Sequence, residues 1–89
     1  MDSVPKYKIL IVDDEPDTRE HVRNYLEKRY QLEVMDACDG ESALKIAKLF
    51  NPDLILLDVN MPKLDGWEVI KGVRKFNTVT KIIISTGLS

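Results

Sequence analysis

The fold is decided by the stretch Lys-Ile-Leu-Ile-Val-Asp-Asp-Glu at residues 8–15, in which a short aliphatic run ends directly on three acids. Aliphatic runs that do not alternate with polar residues are typical of strands buried on both faces of a parallel sheet. We therefore predict a strand at Lys8–Val12. The same pattern recurs at Leu54–Leu57 and at Lys81–Ile84, and Gln31–Ala37 mixes polar and apolar residues as an edge strand does.

Three helical patterns lie between the four predicted strands, over Pro16–Tyr30, Gly40–Phe50 and Gly66–Phe76. Asp17 and Glu20 have the spacing of a capping box, and the proline before them suits a first helical turn. Strands that alternate with helices imply a parallel sheet with right-handed crossovers. The sequence therefore predicts a single α/β unit.

Composition restricts the classes of function. The chain has 13 Lys and Arg against 15 Asp and Glu, a net charge of −2, which excludes a strongly basic nucleic-acid-binding surface. Its single cysteine, Cys38, excludes an internal disulfide and fits a reducing compartment. The apolar runs are far shorter than the roughly 20 residues of a membrane span, and no secretory signal is evident. We expect a cytoplasmic protein that binds neither nucleic acid nor a membrane directly.

Acidic and hydroxyl side chains follow three of the predicted strands. Asp13 and Asp14 follow the first strand, Asp58 follows Leu54–Leu57, and Thr86 comes after the last. Because ligands of open α/β sheets bind at the carboxyl ends of the strands, we expect these side chains to share one edge. Two like charges about 4 Å apart at an effective dielectric near 20 cost roughly 4 kcal/mol, and no Lys or Arg adjoins these acids in sequence. Oxygen ligands favour a hard cation, so the pattern predicts a Mg²⁺ site.

A cation at this edge would allow phosphoryl chemistry. It would shield Asp58 from the incoming negative charge, so that the carboxylate could accept a phosphoryl group, and Thr86 could donate a hydrogen bond to the phosphoryl oxygens. Each acid alone also has a structural explanation, since Asp13 and Asp14 fit a helix cap and Asp58 fits a turn. Their joint position after separate strands favours a site.

The same motifs resemble the response regulator receiver domain of bacterial two-component signalling, as in chemotaxis regulators. The matching segments are Ile9–Glu15, Asp39–Glu41, Pro52–Gly66 and Ile82–Thr86. The resemblance implies a flavodoxin-like sheet of order 2-1-3-4-5, of which this chain holds the first four strands in the order 2-1-3-4. We therefore expect residues 1–89 to form a receiver domain that is incomplete at its C-terminus and lacks the fifth strand and the last two helices.

The resemblance also implies a role for each residue of the predicted site. Asp58 would receive a phosphoryl group from a phosphohistidine on a sensor histidine kinase or a phosphotransfer protein. Asp14 would coordinate Mg²⁺ directly, Asp13 mainly through water, and Asn60 through its backbone carbonyl. Thr86 would be the switch hydroxyl that moves toward the phosphoryl group.

Family members carry a lysine and an aromatic switch residue on a fifth strand, which would lie past Ser89. We therefore expect weak or absent phosphorylation-dependent switching, and no enzyme activity beyond self-phosphorylation and self-dephosphorylation. Two alternatives stay open: a non-switching assembly scaffold, and a Mg²⁺-dependent phosphatase with an aspartate nucleophile. Such phosphatases use a second acid two residues after the nucleophile, where this chain has Asn60, which cannot act as a general acid.

The expected absence of the last helix also predicts self-association. Apolar side chains of the central strands would be exposed together with an open edge at Ile82–Ile84, and exposed patches and edges of this kind drive association. Sedimentation velocity should therefore show a dimer or a larger assembly. A monodisperse, stably folded monomer would contradict this expectation.

Overall fold

Strands and helices alternate along residues 6–58 and 66–85, the part of the chain that the computed structural model describes. The elements are β1 (Tyr7–Val12), α1 (Pro16–Arg29), β2 (Leu32–Ala37), α2 (Gly40–Phe50), β3 (Leu54–Asp58), α3 (Gly66–Arg74) and β4 (Lys81–Ser85). The strands are parallel and lie in the order β2-β1-β3-β4, so the predicted α/β class and strand order are confirmed. In these two ranges, no helix combines the length and the apolar character that a membrane crossing needs.

The central strand β1 is buried on both faces, which explains why its sequence does not alternate. Successive side chains of a strand point to opposite faces of the sheet. Leu10 and Val12 therefore pack toward α2 and α3, whereas Ile9 and Ile11 pack toward α1. The first cluster is completed by Ala37, Ala43, Ala47, Ile55, Leu57, Val69 and Val73, and the second by Val34 with the half-buried Val22, Leu26, Leu32, Leu54 and Leu56.

The first two helices, α1 and α2, begin with different caps. The capping box predicted at Asp17 and Glu20 is wrong, because the N-cap of α1 is Glu15, whose side chain makes no capping hydrogen bond. Pro16 occupies the first turn, so Asp17 already lies inside the helix, where its charge interacts favourably with the helix dipole. In α2, by contrast, Asp39 caps the helix through a 2.8 Å hydrogen bond that its Oδ1 accepts from the Ser42 N–H.

The strand register brings the carboxyl ends of three strands to one edge. Val12 pairs with Leu57, and Asp58 pairs with Ser85. Residues that follow β1 therefore lie beside the end of β3, which in turn lies beside the end of β4. This edge is the place at which the sequence predicts a site.

The start of β4 is fixed by a buried threonine. The Thr80 side chain is buried, and its hydroxyl donates a 2.8 Å hydrogen bond to the carbonyl oxygen of Pro52 just before β3. Its N–H donates to Asn77 Oδ1 at 3.0 Å, and its carbonyl accepts a 2.7 Å bond from Arg74 Nη1. These bonds set the position from which β4 runs toward the shared edge.

Replacing Thr80 with valine removes the hydroxyl and leaves the Pro52 carbonyl without its donor. We expect Thr80→Val to lower the free energy of unfolding by about 1–3 kcal/mol, because a buried polar group then stays unsatisfied. The matched control is Thr78→Val on an exposed threonine two residues earlier. Urea denaturation of both variants tests this, and equal midpoints for the two variants would show that the Thr80 hydroxyl does not fix β4.

Candidate metal centre

Three aspartates converge at the carboxyl edge of the sheet. Asp13 and Asp14 directly follow β1, and Asp58 is the last residue of the neighbouring strand β3. One carboxylate oxygen from each lies within 4.8 Å of the others. Asp13 is fully buried, Asp58 is 8% exposed and Asp14 is exposed to solvent. The structure therefore brings together three predicted site residues that are far apart in the sequence.

Two further predicted site residues, Asn60 and Thr86, lie outside the described residues. The carbonyl of Asn60 and the hydroxyl of Thr86 therefore stay predictions. Asp58, two residues before Asn60, and Ser85, directly before Thr86, do lie at the same edge, because they are paired in the sheet register.

The surroundings of Asp13 fit a cation. Its N–H donates to the carbonyl oxygen of Ala37 in β2 at 3.1 Å, and its Oδ1 accepts a 2.9 Å hydrogen bond from the Glu15 N–H. Its Oδ2 is buried and has no hydrogen-bond partner among the described residues. A buried carboxylate oxygen without a donor is costly and rare, so this atom is suited to bind a cation from outside those residues.

The electrostatics of the cluster favour the same ligand. Burial raises the pKa of Asp13 above its ordinary value, and the negative charges of Asp58 and Asp14 raise it as well. The Glu15 N–H and the Arg19 guanidinium act in the opposite direction without cancelling the rise. A hard divalent cation would replace this repulsion by attraction, and Mg²⁺ is bound in proteins by a few carboxylates while it keeps several waters. The donor set of three carboxylates therefore fits Mg²⁺.

Sequence reasoning missed a basic side chain that contacts this cluster at Asp13. The guanidinium of Arg19, on α1, donates a 2.8 Å hydrogen bond from Nη1 to the carbonyl oxygen of Asp13. Arg19 follows Asp13 by six residues, so adjacency in the sequence does not reveal the contact. A basic residue in the first turns of a helix that directly follows an acidic strand end is the signal that could have found it.

The sequence matches a known domain family and several curated proteins. The sequence model of the family described as "Response regulator receiver domain" matches residues 9–89. The alkaline phosphatase synthesis transcriptional regulatory protein PhoP of Bacillus subtilis is 47% identical over 79 residues, which are 89% of this chain and 32% of that protein. The chain spans about a third of the length of such curated relatives.

Solved structures show the same architecture. The chemotaxis protein CheY4 of Vibrio cholerae matches with a TM-score of 0.80 and 38% identity, over 90% of this chain and 68% of that chain. A complex of the histidine kinase ThkA with the response regulator protein TrrA contains a chain that matches with a TM-score of 0.74 and 43% identity, over 86% of this chain and 66% of that chain. This chain is therefore similar in sequence and in fold to response regulator proteins.

The buried charge of Asp13 gives a prediction about stability without divalent ions. We expect Asp13→Asn to raise the free energy of unfolding at neutral pH by about 1–3 kcal/mol, because the amide removes a buried, repelled charge. In the unsubstituted protein the folded state holds the Asp13 proton more tightly than the unfolded chain does. The contribution of Asp13 to stability should therefore fall as the pH rises from the ordinary pKa of 3.8 through the raised pKa of the folded state.

Urea denaturation at several pH values in the presence of a chelator measures this effect. The control is Asp17→Asn, on an exposed aspartate of α1, which should show no such gain. The prediction is wrong if Asp13→Asn is no more stable than the parent protein at neutral pH, or if both lose stability equally as the pH rises.

Proposed function

Because the chain belongs to the response regulator receiver family, we propose that it accepts a phosphoryl group on Asp58 in a Mg²⁺-dependent reaction. The observation that carries this proposal is the convergence of Asp13, Asp14 and Asp58, with one buried carboxylate oxygen of Asp13 unpartnered among the described residues. The proposed donor is a phosphohistidine on a sensor histidine kinase or a phosphotransfer protein. The solved complex of a histidine kinase with a similar response regulator supports that choice.

The chemistry of the transfer assigns a task to each side chain. A carboxylate oxygen of Asp58 forms the new bond to phosphorus while the bond from phosphorus to the histidine nitrogen breaks, and the imidazole keeps that electron pair. Asp13 and Asp14, with the carbonyl of Asn60, would hold Mg²⁺, which when bound neutralises negative charge on the phosphoryl oxygens. In the proposal, the hydroxyl of Thr86 donates a hydrogen bond to the transferred group.

The position of Asp58 in the sheet suits a phosphoryl acceptor. It ends β3, which pairs with β1 on one side and with β4 on the other. Two paired neighbours restrict the backbone that carries the nucleophile, and restricted positioning is the main protein contribution in phosphoryl transfer. The role proposed for this chain is that of a phosphoryl acceptor and not of an enzyme with a separate substrate, and we propose the cytoplasm as its compartment.

A small phosphodonor tests the proposal directly. Incubation of the chain with acetyl phosphate and Mg²⁺ should add the mass of one phosphoryl group, observed by intact mass spectrometry. Asp58→Asn should abolish the addition because the amide is a poor nucleophile, and a chelator should abolish it in the parent protein.

The control is again Asp17→Asn, which keeps the site intact and should be modified like the parent protein. Two results would refute the proposal. One is a folded parent protein that gains no phosphoryl group. The other is equal modification of the parent and of Asp58→Asn.

A further inference from the structure

We propose that Arg19 is a positioning residue for the metal centre, where it fixes the carbonyl end of Asp13 and thereby the direction in which Asp13 and Asp14 present their carboxylates. This inference rests on the proposed function, because it concerns the same Mg²⁺ site. Arg19 itself would not touch the metal or the phosphoryl group. It would act through the backbone that carries two of the ligands.

The contacts of Arg19 connect α1 to the loop after β1. Its Nη1 donates a 2.8 Å hydrogen bond to the carbonyl oxygen of Asp13, and its backbone N–H donates to the Glu15 carbonyl at 3.1 Å in the first turn of α1. Its side chain is only 18% exposed. A hydrogen bond from a charged donor in a largely buried position is stronger than a neutral one, so this contact restrains the loop.

Asp13 is held at three points, and Arg19 supplies the third. The N–H of Asp13 is bound to the Ala37 carbonyl of β2, and its Oδ1 is bound to the Glu15 N–H. The carbonyl bound by Arg19 belongs to the planar peptide that joins Asp13 to Asp14, so holding this oxygen orients the backbone of Asp14 as well. Of the polar atoms of Asp13, only Oδ2 has no hydrogen-bond partner among the described residues, which leaves it available to a cation.

The charge of Arg19 is itself compensated by a residue outside the cluster. Its Nε lies 3.7 Å from Oδ2 of Asp36 on β2. Asp36 reduces the repulsion between Arg19 and an incoming Mg²⁺, although it also pairs with Arg23 at 3.5 Å. We expect the orienting effect of the Arg19 hydrogen bond to outweigh the remaining repulsion, so that loss of Arg19 weakens metal binding.

Arg23 provides a matched control within the same network. Its Nη1 lies 3.5 Å from the same Asp36 oxygen, and its Nη2 donates a 2.9 Å bond to a backbone carbonyl, that of Val34. It thus shares with Arg19 the helix, the carboxylate partner and the type of backbone contact. It differs in the carbonyl that it holds, since Val34 lies in the middle of β2 and not in the loop after β1, and in a second ion pair, with Glu27 at 3.5 Å.

The experiment is calorimetric titration of the 89-residue chain with MgCl₂ for the parent protein, Arg19→Met, Arg19→Lys and Arg23→Met, each shown to be folded by circular dichroism. We expect Arg19→Met to weaken Mg²⁺ binding about tenfold, a size typical for loss of a group that orients metal ligands. Arg19→Lys should lie between this variant and the parent protein, because its ammonium keeps the charge but lacks the planar fork. Arg23→Met should bind within about twofold of the parent protein even where its unfolding midpoint falls.

Two outcomes would overturn the inference. One is Mg²⁺ binding by Arg19→Met as tight as in the parent protein, or tighter. The other is an equal loss of binding in Arg19→Met and Arg23→Met, which would show a general structural effect. If Arg19→Met does not fold, Arg19→Lys decides: weaker binding than in Arg23→Met supports the inference, and binding equal to that of Arg23→Met overturns it. Absence of Mg²⁺ binding in the folded parent protein would refute the proposed function itself.

Discussion

The parallel pairing of β1 with β3 is the constraint on which the site depends. Three carboxylates repel one another, yet one oxygen of each lies within 4.8 Å of the others. The chain accepts this arrangement because Val12 and Leu57, the residues just before Asp13 and Asp58, are fully buried and paired in the sheet. Hydrophobic burial along the two strands offsets the repulsion at their ends, so the core determines the spacing of the three carboxylates.

Strand β1 connects the acidic edge to both hydrophobic clusters. Its side chains contribute to both hydrophobic clusters, and its carboxyl end continues into Asp13. Asp13 is then tied to β2 through Ala37 and to α1 through Arg19. The acidic edge is therefore tied by hydrogen bonds to the edge strand β2 and to α1, which packs on one face of the sheet.

The sequence was most informative where burial decides the structure. The aliphatic runs predicted β1, β3 and β4 to within one residue at each end, because a strand buried on both faces admits few polar side chains. The helix caps were predicted less well. Helix α1 begins directly after Glu15, whose side chain makes no capping hydrogen bond, and Asp17 is not the cap that its spacing suggested. Caps depend on where the chain leaves the preceding strand, and a local pattern does not contain that direction.

The sequence by itself determined the α/β class, the strand order that the family resemblance implies, and the acids that would meet at one edge. The class and the shared edge follow from hydrophobic periodicity and from the common direction of parallel strands, whereas the strand order follows from the resemblance alone. Tertiary structure alone decided that Asp13 is fully buried with one unpartnered oxygen among the described residues, and that Arg19 holds its carbonyl. The reason is physical: burial and hydrogen bonding depend on distances between elements, and the packing of α1 against the sheet sets those distances.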